Sequence, residues 1–564
     1  MTFMDGQRSA AGAGQQHASV RRAAPQTSDF ARRFFCGEDS IRRDAFRAIA
    51  QTKRVEARRG PAFTPPQKKS MFSLRFVFTV VALGLAGATA AAADRPPNVL
   101  FITADDMNAD SPGWMGNPLK LTPTLDRFAA TAHRFVNQHV AAPICQPSRS
   151  AFMSGRVPHR NGALGFEPMR EGTPSLVTVL RAAGYFAAGI NKLPHMMPES
   201  SFPWDAKFMG SGKNPDLLGR HTRDAIAAAQ QVQKPFFINC NLTDPHRPFY
   251  GAVKSAAQKK RAAKKDDDGV NGDEPNEVEG VVVPLPPAEV PIPRFLEDVP
   301  NLRREVAQYY GSIKRLDLSF AKVLQALDDS GEAARTVVIF MSDHGMSFPF
   351  SKATVYFNGT RSPVCLRWPG MGAPQQRTEF VSSVDLMPTL LDVLRVPAPA
   401  GLDGRSWLPL LRGEPQPDRD HVFTHVNSVS SGIFFPQRCV RTATHALMFH
   451  AWASPQASFK VEAMNGLSYA ALAEAAQTDA RIRGRVDQLI HGNVLAFYDL
   501  TKDESERRNE IDNPAFAAEI ARLKALLTGY MERTNDPQLE NYRKALAGQP
   551  INFSADRLPK KKKS

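Results

Sequence analysis

Cys145 is the residue in this chain whose neighbours best equip it for chemistry. It stands in residues 142–156, A-P-I-C-Q-P-S-R-S-A-F-M-S-G-R, with Pro147 two positions on and Arg149 four positions on. Residues 148–154 have helix-compatible composition, and Gly155 is a stop signal. Pro147 then lies in the first turn, where its missing N–H costs nothing. Cys145 falls at or just before the helix N-terminus, where unpaired N–H groups and the dipole favour negative charge. Arg149 adds a permanent cation one turn along. From these residues alone two readings stand: a small buried cysteine beside a capped helix, or a nucleophilic thiolate of lowered pKa.

Carboxylates recur at the ends of two apolar strands. Residues 98–103 (N-V-L-F-I-T) end in Ala104-Asp105-Asp106, and residues 336–341 (T-V-V-I-F-M) end in Ser342-Asp343-His344-Gly345. Both have the continuous apolar form of buried parallel strands. Ligands in open α/β sheets gather at the carboxyl ends of strands, so two such strands side by side bring Asp105, Asp106, Asp343 and His344 to one point. Three carboxylates that close repel unless protonated or neutralised. Their oxygens suit a hard divalent ion, Ca²⁺ or Mg²⁺. Each Asp taken singly is better explained as a cap on a following turn; the pair together with Cys145 favours the metal.

Two further segments repeat the pattern of buried strand followed by polar, proline-bearing loop. Residues 173–184 (T-P-S-L-V-T-V-L-R-A-A-G) predict a helix closed by glycine, residues 185–190 a strand, and Asn191-Lys192-Leu193-Pro194-His195 the loop. Residues 234–241 (K-P-F-F-I-N-C-N) predict a strand that leads to Thr243-Asp244-Pro245-His246-Arg247-Pro248. Loops at strand ends are where sites are built, although a lone histidine in a loop is more often structural or solvated. Lys352, in S-F-P-F-S-K-A-T-V-Y, is on its own terms a solvated lysine.

The elements that must position these residues belong to a long chain. Its 564 residues exceed one ordinary core, so two packed units with appendages are expected. Apolar content of 42% and charged content of 23% are globular values. The net charge of +15 suggests a nucleic-acid or membrane partner until it is located. Residues 1–93 hold 15 Lys/Arg against 6 Asp/Glu, and Lys560 to Lys563 add four more, so the body is near neutral and nucleic-acid binding is discounted. The five cysteines (36, 145, 240, 365 and 439) show no paired metal spacing. With Cys145 spent on catalysis, one disulfide at most is left to the mature body.

Residues 1–70 read as a disordered or mis-assigned extension with Met71 as initiator. Residues 71–93 form a basic flank, an apolar run and a small-residue end, a secretory signal peptide cleaved near Ala93. An uncleaved anchor is the alternative; the run is short and Ala-rich for a stable membrane span. Residues 94–413 are expected to form a large catalytic domain, with residues 251–280 a mobile charged insertion. A long amphipathic helix follows, with Val306, Tyr309, Ile313, Leu316, Phe320, Val323 and Leu327 at three-to-four spacing. Residues 414–545 are expected to form a smaller domain that shapes the substrate entrance, and residues 546–564 a basic tail.

C-Q-P-S-R followed by F-M-S-G-R resembles the signature of the type I sulfatases, of the alkaline-phosphatase superfamily. The D-P-H-R, S-D-H-G-M-S-F-P-F-S-K-A-T-V-Y and M-E-R-T-N-D-P stretches look most like its heparan N-sulfatase (sulfamidase) branch. Residues 402–413 and Y-D-L-T-K-D-E-S-E-R-R-N-E resemble the family's linker and second domain. The resemblance covers about residues 95–540. It implies an alkaline-phosphatase-like α/β sandwich, a large central mixed sheet flanked by helices, with a smaller α+β C-terminal domain.

The resemblance also implies a site. A maturation enzyme oxidises Cys145 to formylglycine, whose hydrated aldehyde is the nucleophile. Asp105, Asp106, Cys145, Asp343 and His344 hold Ca²⁺, Mg²⁺ being possible; His344 stands where Asn is common. Arg149 supports the nucleophile, Lys192 and Lys352 bind sulfate, and His246 or His195 protonates the leaving group. Lys192 and His195 are three apart where the usual motif has two. The implied activity is hydrolysis of sulfate esters or sulfamates on a sulfated glycan, by a secreted or periplasmic protein. The alternatives are an O-sulfatase on another polysaccharide, a phospho- or phosphonate monoester hydrolase, and a glycan-binding protein with unmodified Cys145.

Overall fold

The computed structural model describes residues 95–252, 285–551 and 553. The expected extension, signal peptide, nearly all of the charged insertion and the lysine tail lie outside the described residues. All described residues fall in one compact unit.

An eight-stranded sheet organises the chain, in the order β4-β3-β5-β1-β6-β7-β2-β8. Its centre is β1 (Asn98–Asp105) between β5 (Phe236–Pro245) and β6 (Thr336–Ser342), all three buried at every position. β1 runs parallel to both neighbours, and β5 parallel to β3 (Phe186–Ile190), which pairs with β4 (Ala206–Phe208). The sheet is mixed, since β7 (Val364–Arg367) runs antiparallel to β6 and to β2 (His133–His139). β8 (Gln376–Ser382) closes the far edge parallel to β2 and is half exposed, with its charged residues partly open to solvent.

The unbroken apolar runs feed two cores at once. Alternate side chains of β1 point to opposite faces. Leu100, Ile102 and Ala104 enter one apolar cluster, with Val338 and Phe340 of β6. Val99 and Phe101 enter the other, with Val337, Ile339 and Met341. Helices cover both faces. On the first lie α4 (Pro215–Gln231) and the long α5 (Pro300–Asp329), whose Val306, Tyr309, Ile313, Leu316, Phe320, Val323 and Leu327 are buried as the spacing predicts. The second is covered by α2 (Cys145–Ser154), α3 (Leu176–Ala182) and α6 (Leu386–Leu394). α1 (Pro123–Ala130) packs beside α5 and draws two backbone amides onto the Asp317 carboxylate.

A second, antiparallel sheet has the order β12-β11-β10-β9, built from β9 (His421–Ser428), β10 (Phe434–Thr442), β11 (His445–His450) and β12 (Leu495–Asp499). One face, with Val440, Leu447, Phe449 and Phe497, packs on α9 (Ala517–Arg533) and α10 (Leu539–Leu546). Cys439, Ala446, Met448 and Tyr498 of the other face join the core of the large sheet. Between β11 and β12 lie α7 (Leu467–Ala475) and α8 (Ala480–His491). The architecture is the expected one, a large mixed sheet flanked by helices with a smaller C-terminal sheet.

Cys145, Cys240, Cys365 and Cys439 are all buried thiols without a disulfide. No helix among the described residues is long and apolar enough to cross a membrane.

Candidate active site

Strand register brings the acidic loops together. Ala104 pairs with Ser342 and Asp105 with Pro245, so the carboxyl ends of β1, β6 and β5 stand level. The chain turns sharply there: Asp106 has φ 71°, in the left-handed region non-glycine residues seldom occupy. That turn aims the Asp106 amide at Asp343 Oδ1, 3.1 Å away. Gly345 is required by space, because a Cβ there would lie 1.7 Å from the Asn358 carbonyl oxygen.

Cys145 occupies the first position of α2, Pro147 lies in its first turn, and Gly155 ends it with φ 63°. All ten residues of α2 are buried. The thiol faces the acidic loops, with Sγ 3.6 Å from Asp105 Oδ1 and 3.3 Å from His344 Nε2. Burial pushes the Cys145 thiol well above its usual value, and Asp105, Asp343 and Asp106 push the same way against Lys352.

Three permanent cations meet the three aspartates. Arg149 reaches Asp343 Oδ2 at 2.9 Å and also donates to Thr103 and Asn241. Lys192 Nζ lies 2.7 Å from Asp105 Oδ2, and Lys352 Nζ 3.0 Å from Asp106 Oδ1. Both lysines are almost wholly buried. Burial alone would raise the Asp105 carboxyl, but Lys192, His246, Arg149 and Lys352 hold it well below the usual range. Burial raises Asp343, and Asp105 and Asp106 add to this against His344 and Arg149.

The donor set fits a divalent cation. One atom each from Asp105, Cys145, Asp343 and His344 lies within 4.8 Å of the others, the span of ligands placed about 2.3–2.6 Å from a shared centre. His344 Nδ1 donates to the Gly345 carbonyl at 2.9 Å, which turns the Nε2 edge of the ring toward the cluster. Nε2 also lies 3.4 Å from Asp106 Oδ1 and 3.7 Å from Asp343 Oδ1. An overlapping group, Asp105, Asp106, Cys145 and His246, shares this centre; a third, His159, His425 and Asp536, is less suitable, since Arg438 already grips both oxygens of Asp536.

The histidines at the other strand ends differ. His246 Nδ1 donates to the Arg247 carbonyl at 2.7 Å, and its Nε2 faces Glu462 Oε1 at 3.5 Å. Burial, then Lys352 and Lys192, push its imidazole below the usual value. His195 sits in a short 3-10 turn, Leu193–His195, that Pro194 fits. Neither of its ring nitrogens has a hydrogen bond, and the ring packs edge-on against Phe166. The structure thus gathers Asp105, Asp106, Cys145, Arg149, Lys192, His246, Asp343, His344 and Lys352, and leaves His195 buried beside them without a polar contact. Asn241, Thr103 and Glu462 escaped the sequence reading. Asn241 and Thr103 end strands that were recognised, whereas Glu462 lies in a stretch without any pattern.

The sequence profile of the Sulfatase family matches residues 97–396, more than half of the chain. The chain belongs to the sulfatase family. A second profile, N-sulphoglucosamine sulphohydrolase, C-terminal, matches residues 343–456 of this sulfatase. The human N-sulphoglucosamine sulphohydrolase is 29% identical over 483 residues, 78% of this chain and 91% of the relative. A delta 4,5-hexuronate-2-O-sulfatase of Bacteroides thetaiotaomicron is 25% identical over 80% of this chain and 92% of its own. Among solved structures, a 2-O GAG sulfatase shares the fold, with a TM-score of 0.57 and 22% identity over 82% of this chain and 96% of that one. The cluster around Cys145 and the family together identify a hydrolase with a metal-binding arrangement of side chains.

Proposed function

We propose that this sulfatase hydrolyses sulfamate, or a sulfate ester, on a glucosamine-containing glycan after Cys145 has been converted to formylglycine. The observation that carries the reading is the Cys145 side chain lying against both Asp105 and His344, inside one set of metal-ligand atoms. Likeness to the human N-sulphoglucosamine sulphohydrolase, in the body and in the C-terminal profile, supports the sugar.

Asp105, Asp106, Asp343, His344 and residue 145 would hold the cation, with Ca²⁺ favoured by the oxygen donors. Converted, residue 145 supplies two hydroxyls on one carbon, one to take the sulfuryl group and one to expel it, while the cation supplies positive charge beside them. Cys145 Sγ marks the direction from which those oxygens would extend.

The chain's own groups do the rest. Arg149 fixes Asp343 from behind and adds charge near the nucleophile. Lys192 and Lys352 point fixed ammonium groups into the cluster, where they would neutralise the sulfuryl oxygens. His246, with Nδ1 tied to a carbonyl, turns Nε2 toward the cluster, and in its doubly protonated form it would give the Nε2 proton to the leaving atom. This is preferred to His195, whose ring meets an apolar neighbour.

The reading includes a formylglycine-generating maturation enzyme as partner, secretion or periplasmic export after cleavage near Ala93, and a domain division near residue 413. Its test is co-expression with a maturation enzyme, mass spectrometry of the peptide containing residue 145, and assay on N- and O-sulfated glucosamine. Full conversion without release of sulfate from any of these sugars would refute it.

A further inference from the structure

A carboxylate from the C-terminal part of the chain reaches into the cluster. Glu462 opens the 3-10 turn Glu462–Asn465, and its carboxylate divides between two site residues. Oε2 lies 3.2 Å from Lys352 Nζ, and Oε1 lies 3.5 Å from His246 Nε2. The Glu462 side chain is 29% exposed where that of Lys352 is 3% exposed, so the carboxylate stands on the solvent side of the lysine. Lys352 first and His246 next outweigh burial and hold it down at about 2, fully ionised.

The position is built rather than incidental. Glu305 of α5 pairs with Arg247, the residue after His246, and accepts the backbone amides of Leu467 and Ser468 at 3.0 and 2.7 Å. It thereby caps the first turn of α7, where a negative charge is favoured. Gly466, between Glu462 and that cap, lies directly against this ion pair: a Cβ there would come within 2.4 Å of Arg247 Nη2 and Glu305 Oε1 and would push the pair aside. The loop that carries Glu462 and the loop that carries His246 are therefore anchored to one ion pair.

An ionised carboxylate beside a sulfate-binding lysine has a chemical consequence. It accepts hydrogen bonds and donates none. The bridging oxygen of a sulfate ester carries no hydrogen and faces such a group lone pair to lone pair. The bridging nitrogen of a sulfamate carries an N–H, and the departing amine carries more.

We propose that Glu462 is a positioning residue for leaving-group selection: it orients His246 and accepts the N–H of the leaving nitrogen, so that N-linked sulfate is favoured over O-linked sulfate. The inference rests on the functional reading above. In the step it serves, His246 enters doubly protonated, with Nδ1–H on the Arg247 carbonyl and Nε2–H free to leave. The S–N bond breaks with its electron pair on nitrogen, nitrogen takes the Nε2 proton and leaves a neutral imidazole, and the attacking hydroxyl of residue 145 gives its own proton to solvent. The sulfuryl group forms its new S–O bond with residue 145.

The test uses the full, matured chain and its Glu462→Gln and Glu462→Asp variants. Glucosamine N-sulfate, glucosamine 6-O-sulfate and nitrophenyl sulfate are the substrates, with kcat and KM read separately. Glu462→Gln is expected to lower kcat on the sulfamate, relative to kcat on nitrophenyl sulfate, by about tenfold or more, with KM little changed. Glu462→Asp should recover part of that ratio. Parallel losses on all three substrates, or no loss, would overturn the role of Glu462 while leaving the sulfatase reading intact. A wild type that cleaves the O-sulfates and spares the sulfamate would overturn it too, and a wild type inert to all three would overturn both.

Discussion

Arg149 and Asp343 form an ion pair of 2.9 Å in which neither side chain is exposed to solvent. The pairing uses one oxygen of Asp343 and leaves the other facing His344 and the Asp106 amide. One carboxylate thus fixes the helix that carries Cys145 and offers a ligand atom. Asp343→Ala should strand a buried arginine, at a cost of roughly 3–5 kcal/mol, and release the bound divalent ion. Thermal melting with metal analysis checks both, and an unchanged metal content would refute the ligand role.

Cys145→Ala removes the convertible side chain and little else. Sulfate release should fall to background while the circular dichroism spectrum stays native, since one lost thiol costs only about 1 kcal/mol. Appreciable turnover by this variant would show that residue 145 is not the nucleophile.

Asn241→Ala tests a residue that the sequence did not mark. Its side chain accepts from Arg149 and donates to the carbonyls of Ile190 and Asn191. Loss of these bonds should cost about 1–3 kcal/mol and lower kcat, because Arg149 and the loop before Lys192 both lose a support. A melting temperature and kcat equal to wild type would sink this assignment.

Gly345→Ala should be among the most damaging small substitutions. The new methyl group collides with the backbone of Asn358, and overpacking of this kind costs about 1–3 kcal/mol or more. The His344 loop must shift to relieve it, so bound metal should drop along with stability. Normal metal content in the folded variant would count against the placement of that loop.

Acid should weaken the fold before it breaks the ion pairs. Burial pushes His159 and His450 down to about 4 from an ordinary 6.5, so the folded chain keeps both neutral. The unfolded chain takes up protons near 6.5 and the folded chain only near 4, so stability is lost as pH falls between those values. Each histidine accounts for roughly 3 kcal/mol at most. Urea midpoints measured from pH 7.5 to 4.5 should fall across that window; a flat profile would refute the buried neutral state.

Much of this was legible in the sequence because it rests on local pattern. The runs that became β1, β5 and β6 are apolar at nearly every position, and a strand buried on both faces leaves no other signature. Asp105, Asp106, Asp343 and His344 were readable because each follows such a strand directly. The helix from Cys145 to its glycine stop was readable from proline and glycine alone. Glu462 was not, because its role depends on where a distant turn lands, and Glu305, which anchors that turn, looks like any acidic residue on a long helix. His195 was readable from its context as well, and the structure sets it buried beside the cluster with both ring nitrogens unpartnered.

The thiol at position 145 is walled in, only 2% exposed at the head of a helix buried along its whole length. On the proposed reading, an enzyme that converts this residue has no surface to hold once the sheets have closed. Conversion then belongs to the brief interval between synthesis and collapse. A chain that folds too soon would be shapely, durable and permanently inert.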